Sequence, residues 1–340
     1  MVHTGEMRTD PVAARPRLSI VLPVFNEVGT IGHLAAELFK VLEPLPYDHA
    51  LVLVDDGSTD GTSAVLDALQ ARHADRISVV HLSRNFGHQA ALTAGTDHAD
   101  GDAVICMDAD MQHPPSLIPE MVARWEQGFD VVQAVRRETP NVGVFKNLTA
   151  RAFYGLMNRL SATQVEVGGC DFRLMSRRVA DIFRQDLRER DRFVRGLVSW
   201  VGFRSCRLEF DAADRYAGES KYSFLKMVSF ARLGLVSFSK IPLRIAVLLG
   251  LAASTVSLLY GLYAIFVFVH YQAVIPGWAS TVLVGTFLGG CQLLFLGLLG
   301  EYIATIFDEI KGRPIYLVAD VRPATRRLSS RDGAGMRSEG

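Results

Sequence analysis

The sequence predicts an α/β domain on a largely parallel sheet, followed by basic juxtamembrane amphipathic helices and a two-helix transmembrane hairpin. Three observations carry that expectation. Short apolar runs alternate with helical patterns from residue 17 onward, the repeat that builds parallel sheets with right-handed crossovers. Two of those runs end on carboxylates, at Asp55 and Asp56 and again at Asp108 and Asp110, the edge where open α/β sheets hold ligands. Finally, Ile245 to Val269 and Ala279 to Gly300 are stretches of 25 and 22 residues without a formal charge, each long enough for a hydrocarbon core of about 30 Å.

Composition narrows the partners. The 36 basic residues balance the 36 acidic ones, so no global charge draws the chain to nucleic acid, and no nucleic-acid partner is expected. Apolar residues make up 49% and the mean hydropathy is positive, with the excess concentrated in residues 241 to 300. The first seventeen residues, MVHTGEMRTDPVAARPR, contain no apolar core of a secretory signal. Residues 1–16 therefore read as a disordered tail, and the domain after them as cytosolic. Cys106, Cys170, Cys206 and Cys291 show no CxxC spacing and read as reduced packing residues rather than zinc ligands or disulfides.

In chain order, Leu18 to Val24 is a strand, and FNEVGT leads into a helix from Ile31 to Leu42. Leu51 to Val54 is the second strand, running into DDGSTDGT and a helix through Arg72. Ile77 to Leu82 is a strand, SRNFGHQ a loop and Ala90 to His98 a helix. Val104 to Met107 is the central strand, and it stops on DADMQHPP. Residues two apart in an extended loop point the same way, so Asp108 and Asp110 can face one hard cation, with Gln112 adding a third oxygen. That arrangement suggests Mg²⁺ or Mn²⁺ holding a diphosphate. Neither GxGxxG nor GxxxxGK[ST] occurs, which argues against a dinucleotide-binding Rossmann enzyme and removes a P-loop.

Asp130 to Val135 forms the next strand, and Arg136 and Arg137 end it at the same rim as the acids. A helical segment from Phe145 to Leu160 carries Lys146, Arg151 and Arg159, and VGGCDFRLMSRR follows with Asp171. Residues 215 to 244 hold six basic residues, Lys221, Lys226 and Arg232 among them, against the single acid Glu219. Interleaved Phe224, Phe230 and Phe238 make this a basic amphipathic stretch suited to anionic lipid. Lys240 and Arg244 precede the first span and Lys311 and Arg313 follow the second, so both ends are expected in the cytosol. Tyr271 and Trp278 fall at the membrane interface. Gly285 and Gly289 form a GxxxG, open to packing within the hairpin or between subunits of a homo-oligomer. The expected organisation is a catalytic domain over 17–214, the basic segment over 215–241, spans at about 243–270 and 279–303, and a cytosolic end over 307–340, disordered from about residue 324.

The ordered set PVFNE, VDDGSTDGT, RNFGHQAALTAG, DADMQHPP, DFRLMSRR and RYAGESKYSFLK, followed by two spans, resembles the family 2 glycosyltransferases that load sugars onto polyprenyl phosphates. The resemblance covers residues 17 to 318. It implies a GT-A fold, inverting transfer from a nucleotide diphosphate sugar, and Mg²⁺ or Mn²⁺. By motif position Pro23, Phe25, Glu27, Asp55 and Asp56 would line the nucleoside pocket with Asp108, while Asp108, Asp110 and Gln112 would hold metal and diphosphate. Arg136, with Lys146, Arg151 and Lys221, would meet the acceptor phosphate. Asp171 falls where related enzymes keep a base, yet a phosphate monoester is already largely a dianion at neutral pH. Asp171 can instead position the sugar or orient Arg173.

Two other readings remain open. A processive polysaccharide synthase of the same superfamily would carry QxxRW and more membrane helices, whereas RFVRGLVSW lacks the glutamine. A membrane-anchored sugar-nucleotide-binding protein without catalysis is the other.

Overall fold

A computed structural model of the protein describes residues 16–137, 169–190, 194–211, 241–271 and 277–325. The elements of the first half are β1 (Arg17–Val24), α1 (Ile31–Leu42), β2 (Asp48–Asp55), α2 (Thr62–Arg72), β3 (Ile77–Leu82), α3 (His88–His98), β4 (Ala103–Cys106), α4 (Ile118–Glu126) and β5 (Val131–Arg136). There follow β6 (Gly169–Ser176), α5 (Arg177–Gln185), α6 (Val194–Trp200), β7 (Ser205–Phe210), α7 (Ile241–Tyr271), α8 (Trp278–Ile310) and β8 (Val318–Arg322). The segment with Lys146 and Arg151 and the basic stretch with Lys221, Lys226 and Arg232 lie outside the described residues.

One eight-stranded sheet runs in the order β7-β5-β6-β4-β1-β2-β3-β8. β1 pairs in parallel with β2 and β4, β2 with β3, and β5 with β7. Only β6 and β8 run against the rest. The sheet is thus mixed and mostly parallel, as the repeat of strands and helices implied. Near-continuous apolar strands make sense in this setting, because both faces are covered. Leu18, Ile20, Leu22 and Val24 pack toward α1 and α4, while Val21, Val52 and Val54 pack toward α3 and α5. Each such buried side chain contributes about 1.5–3 kcal/mol.

The antiparallel entry of β6 matters most for the site. Its register sets Cys106 of β4 opposite Arg173, so the chain preceding Arg173 runs toward the end of β4 where the DAD sequence begins. Asp171 arrives beside Asp108 from a strand of opposite direction.

α7 and α8 hold apolar stretches of 22 and 30 residues, long enough to cross a membrane, and neither is buried. Leu283 and Leu293 are both 71% exposed, which a helix in the core of a soluble domain would not show. A side chain added at Gly285 or Gly289 meets nothing within 4 Å, so among the described residues the GxxxG face is not packed inside the hairpin. The side chains of Tyr271 and Trp278 lie outside what is described.

α8 continues to Ile310 and ends on a glycine turn. Gly312 takes φ +57, Lys311 N–H donates to Phe307 O at 3.2 Å and Gly312 N–H to Glu309 O at 3.1 Å, and Pro314 prevents the helix from resuming. The chain then returns to the sheet: Ser83 N–H donates to Leu317 O at 2.9 Å, and β8 pairs with β3. Tyr316 OH donates to Asp97 Oδ2 at 2.7 Å and Arg322 meets Asp67 at 3.0 Å. The sequence carried no expectation of a strand there.

α3 lies unusually close to the sheet. A Cβ at Gly95 would stand 2.2 Å from Val21 Cγ1 and 3.1 Å from Val54 Cγ2. Gly95→Ala is therefore expected to cost about 1–3 kcal/mol through overpacking, read as a lower unfolding temperature of the detergent-solubilised protein. An unchanged transition would show that α3 can shift away freely.

Candidate active site

The strand ends converge on a cavity of about 890 Å³, near the upper end of the roughly 300–1,000 Å³ usual for ligand sites. Pro23, Phe25 and Glu27 reach it from the end of β1, and Asp108 and Asp110 from the end of β4. Asp171 comes from β6. These six expected site residues are brought together. Phe25 is 45% exposed, an unusual setting for a phenyl ring and a suitable one for stacking against a planar base. Arg136, exposed at the end of β5, and Gln112 do not line the cavity, and neither do Asp55 and Asp56.

Asp55 and Asp56 are each 3% exposed and spend their oxygens on the protein. Asp56 accepts from Phe86 N–H at 2.7 Å and Gly87 N–H at 2.9 Å, fixing the loop before α3. Asp55 accepts from Ser58 N–H at 2.9 Å, from Ser63 Oγ, and from His81 Nδ1 at 3.0 Å. The second His81 nitrogen meets Asp67 at 3.0 Å. A carboxylate at each nitrogen favours the protonated ring. The Asp55 hydrogen bond is the largest cause holding the His81 pKa above its ordinary value, against burial. Burial alone would raise Asp55, but the bonds from His81, Ser58 and Ser63 outweigh it and hold that carboxyl well below the usual range.

Two histidines that the sequence did not single out flank Asp108. His113, 5% exposed, accepts at Nδ1 from Asp108 N–H at 3.0 Å, so its proton sits on Nε2, 3.7 Å from Asp108 Oδ2. The ring stacks on Phe172 at 5.2 Å, and burial holds its pKa down. His113 thereby folds the loop back under Asp108, a turn helped by Met111 at φ 63. His88 places Nε2 at 3.2 Å from Asp108 Oδ1 and 3.4 Å from Asp171 Oδ2. Its only advance signal was its place after Gly87 in the SRNFGHQ loop.

Ligand atoms of His88, Asp108 and Asp171 all lie within 4.8 Å of one another. Asp108 Oδ1 is buried and, beyond the 3.2 Å approach of His88 Nε2, has no hydrogen-bond partner, and burial raises its pKa, with Asp171 and Asp110 adding to the effect and both histidines opposing it. An under-bonded carboxylate among like charges fits a divalent cation. Asp171 joins His88 and Asp108 in this group. It is 4% exposed and is gripped by Arg173 at 2.5 Å and Gln89 Nε2 at 3.2 Å. Asp110 instead accepts from the Gln112 backbone at 3.1 Å and its side chain at 2.7 Å.

Carboxylates gathered at the strand ends of a mostly parallel sheet, around a cleft of ligand-site size, define the class: an α/β protein that holds its ligand at that sheet edge. The chain belongs to glycosyl transferase family 2, whose sequence profile matches residues 19–183, and it is a glycosyltransferase with the GT-A arrangement the sequence implied. It is 42% identical over 305 residues to an uncharacterized glycosyltransferase of Synechocystis sp., covering 89% of this chain and 95% of the relative. It is 39% identical over 303 residues to the bactoprenol glucosyl transferase of Shigella phage SfII, covering 89% of this chain and 97% of the relative. Among solved structures it is similar to mannosyl-3-phosphoglycerate synthase from Rubrobacter xylanophilus, with a TM-score of 0.44, 19% identity, and 64% of this chain and 71% of that one covered.

Two outcomes follow. His81 is protonated more readily folded than unfolded, so its contribution is full below its ordinary pKa near 6.5 and is lost as pH rises through the raised folded value. The stability gap between wild type and His81→Gln is expected to be about 1.5–3 kcal/mol below pH 6 and to shrink above neutrality. A gap independent of pH would mean that the ring acts only by packing. Asp108→Asn and Asp171→Asn should each weaken Mn²⁺ binding, followed by calorimetry, by at least the roughly 10–100-fold that outer-shell changes cost. Unchanged affinity in both would remove this cluster as the metal centre.

Proposed function

We propose that the protein transfers a hexose, with inversion, from a nucleotide diphosphate sugar to the phosphate of a membrane polyprenyl phosphate. The observation that carries this reading is full-length likeness to bactoprenol glucosyl transferases in a chain whose strand-end carboxylates and membrane-length helices belong to one arrangement. The donor's base would lie against Phe25, with Pro23 and Glu27 beside it, and Asp55 and Asp56 would shape that pocket from behind through the loops they hold. A divalent ion at Asp108 and Asp171, with Asp110 and Gln112 nearby, would neutralise the diphosphate and its departing charge. A carboxylate-rich set of this kind suits Mg²⁺ or Mn²⁺.

Arg136 would meet the acceptor phosphate from the end of β5, joined by Lys146, Arg151 and Lys221 from outside the described residues. A phosphate dianion needs no proton removed before attack at neutral pH. Asp171, gripped by Arg173 and Gln89, suits holding charge and geometry better than shuttling a proton.

The placement is on a membrane, with the catalytic domain on its cytosolic side. Both membrane-length helices lie between β7 and β8 in the chain, yet both strands join one sheet. A hairpin that leaves and returns to the same side satisfies this, and the basic residues flanking it support a cytosolic side.

The test is incubation of the purified full-length protein with undecaprenyl phosphate, Mn²⁺ or Mg²⁺, and a panel of UDP- and GDP-sugars, with the lipid product identified by mass spectrometry. A single hexose on the lipid phosphate is expected. Polymer would indicate a processive synthase, and sugar-nucleotide binding without any product a binding protein. Asp110→Ala should lower turnover by about 10²–10³-fold, and EDTA should stop it reversibly.

A further inference from the structure

We infer that Arg313, on the segment leaving α8, is a phosphate-binding residue of the cleft. The inference rests on the reading above, that the cleft works on phosphates, and extends it to a part of the chain far from every family motif. Five carboxylates, Glu27, Asp108, Asp110, Asp171 and Asp308, line the cavity against three arginines, Arg84, Arg190 and Arg313. Two of the arginines are engaged. Arg84 donates to Asn85 O at 3.0 Å and lies 4.1 Å above the Phe86 ring, and Arg190 donates to Asp308 O at 3.4 Å. Arg313 has no hydrogen bond or ion pair among the described residues, so none of these competes with a phosphate for its planar fork.

Its position is nevertheless fixed from both sides. Upstream, the Gly312 turn ends α8, and Glu309 accepts from Arg190 N–H at 2.6 Å. Downstream, Tyr316 is held by Asp97 and the chain enters β8. A cation whose backbone is anchored and whose side chain is unengaged can bind an anion at small ordering cost. It stands three residues beyond the last turn of a membrane-length helix, on the side from which a lipid-borne phosphate would come. The donor diphosphate offers the same chemistry.

The experiment uses the full-length protein in lipid nanodiscs. Arg313→Ala should retain the wild-type unfolding temperature and weaken one phosphate ligand by about 10–100-fold, as loss of a charged hydrogen bond does. A raised KM for undecaprenyl phosphate with unchanged calorimetric affinity for UDP and GDP assigns the lipid phosphate. Weakened nucleotide affinity assigns the donor diphosphate. Either outcome supports the inference, and Arg313→Lys should recover part of the loss because the charge remains. Both constants within about twofold of wild type, or equal losses in the Ala and Lys variants with a lowered unfolding temperature, would overturn it. Failure of the wild-type enzyme to transfer sugar would sink the functional reading instead, while the nucleotide arm would still report on Arg313.

Discussion

Crowding of negative charge at one sheet edge is the constraint to which the rest of the site answers. Two carboxylates a few ångströms apart repel by several kcal/mol when partly shielded from water, and oxygens of Asp108 and Asp171 lie within 4.8 Å of each other. The fold answers with cations in fixed places. Arg173, wholly buried, grips Asp171 from within the sheet, and His88 stands between the two acids. Burying a guanidinium is costly unless it is paired, and its Nε and Nη1 are left without partners. The sheet therefore gives up stability at the point where the pair of acids is displayed, a common arrangement where a site is preorganised for charge.

A second layer of polar contacts keeps that edge in register without touching the cleft. Asp56 ties the end of β2 to the loop before α3, and so fixes His88. Asn26 and Ser58 link the loops after β1 and β2, with Asn26 N–H donating to Ser58 Oγ at 3.1 Å and Thr59 N–H to Asn26 Oδ1 at 2.8 Å. The loop residues that face ligand are thus positioned by neighbours that are themselves hydrogen-bonded, so little is left to induced ordering.

Much of this was legible in the residues. An apolar run that stops on DAD can be read as a strand end because side-chain alternation and the following prolines leave few alternatives, and long uncharged stretches announce themselves by length. The meeting of Asp108 with Asp171 was not legible, since it depends on β6 entering against the prevailing strand direction. Motif position put Asp55 in the nucleoside pocket. Only the fold shows His81 and two serines occupying its oxygens. β8 escaped because VADVR is five residues, exposed along its whole length, and separated from β3 by most of the chain. Its pairing is a property of topology and leaves no periodic trace.

That last strand also imposes an order of events. β3 is an inner strand only because β8 covers it. Until residues 318–322 exist, β3 presents an open edge of unpaired amides and carbonyls, the kind of surface that recruits foreign strands. With synthesis at about 5–20 residues per second, the wait between the two strands is of the order of 10–50 s. During that interval the nascent sheet is a template without its cover, and the cell must shield it or tolerate the hazard. The final strand thus acts as a seal on manufacture, applied only after both long apolar helices have been made.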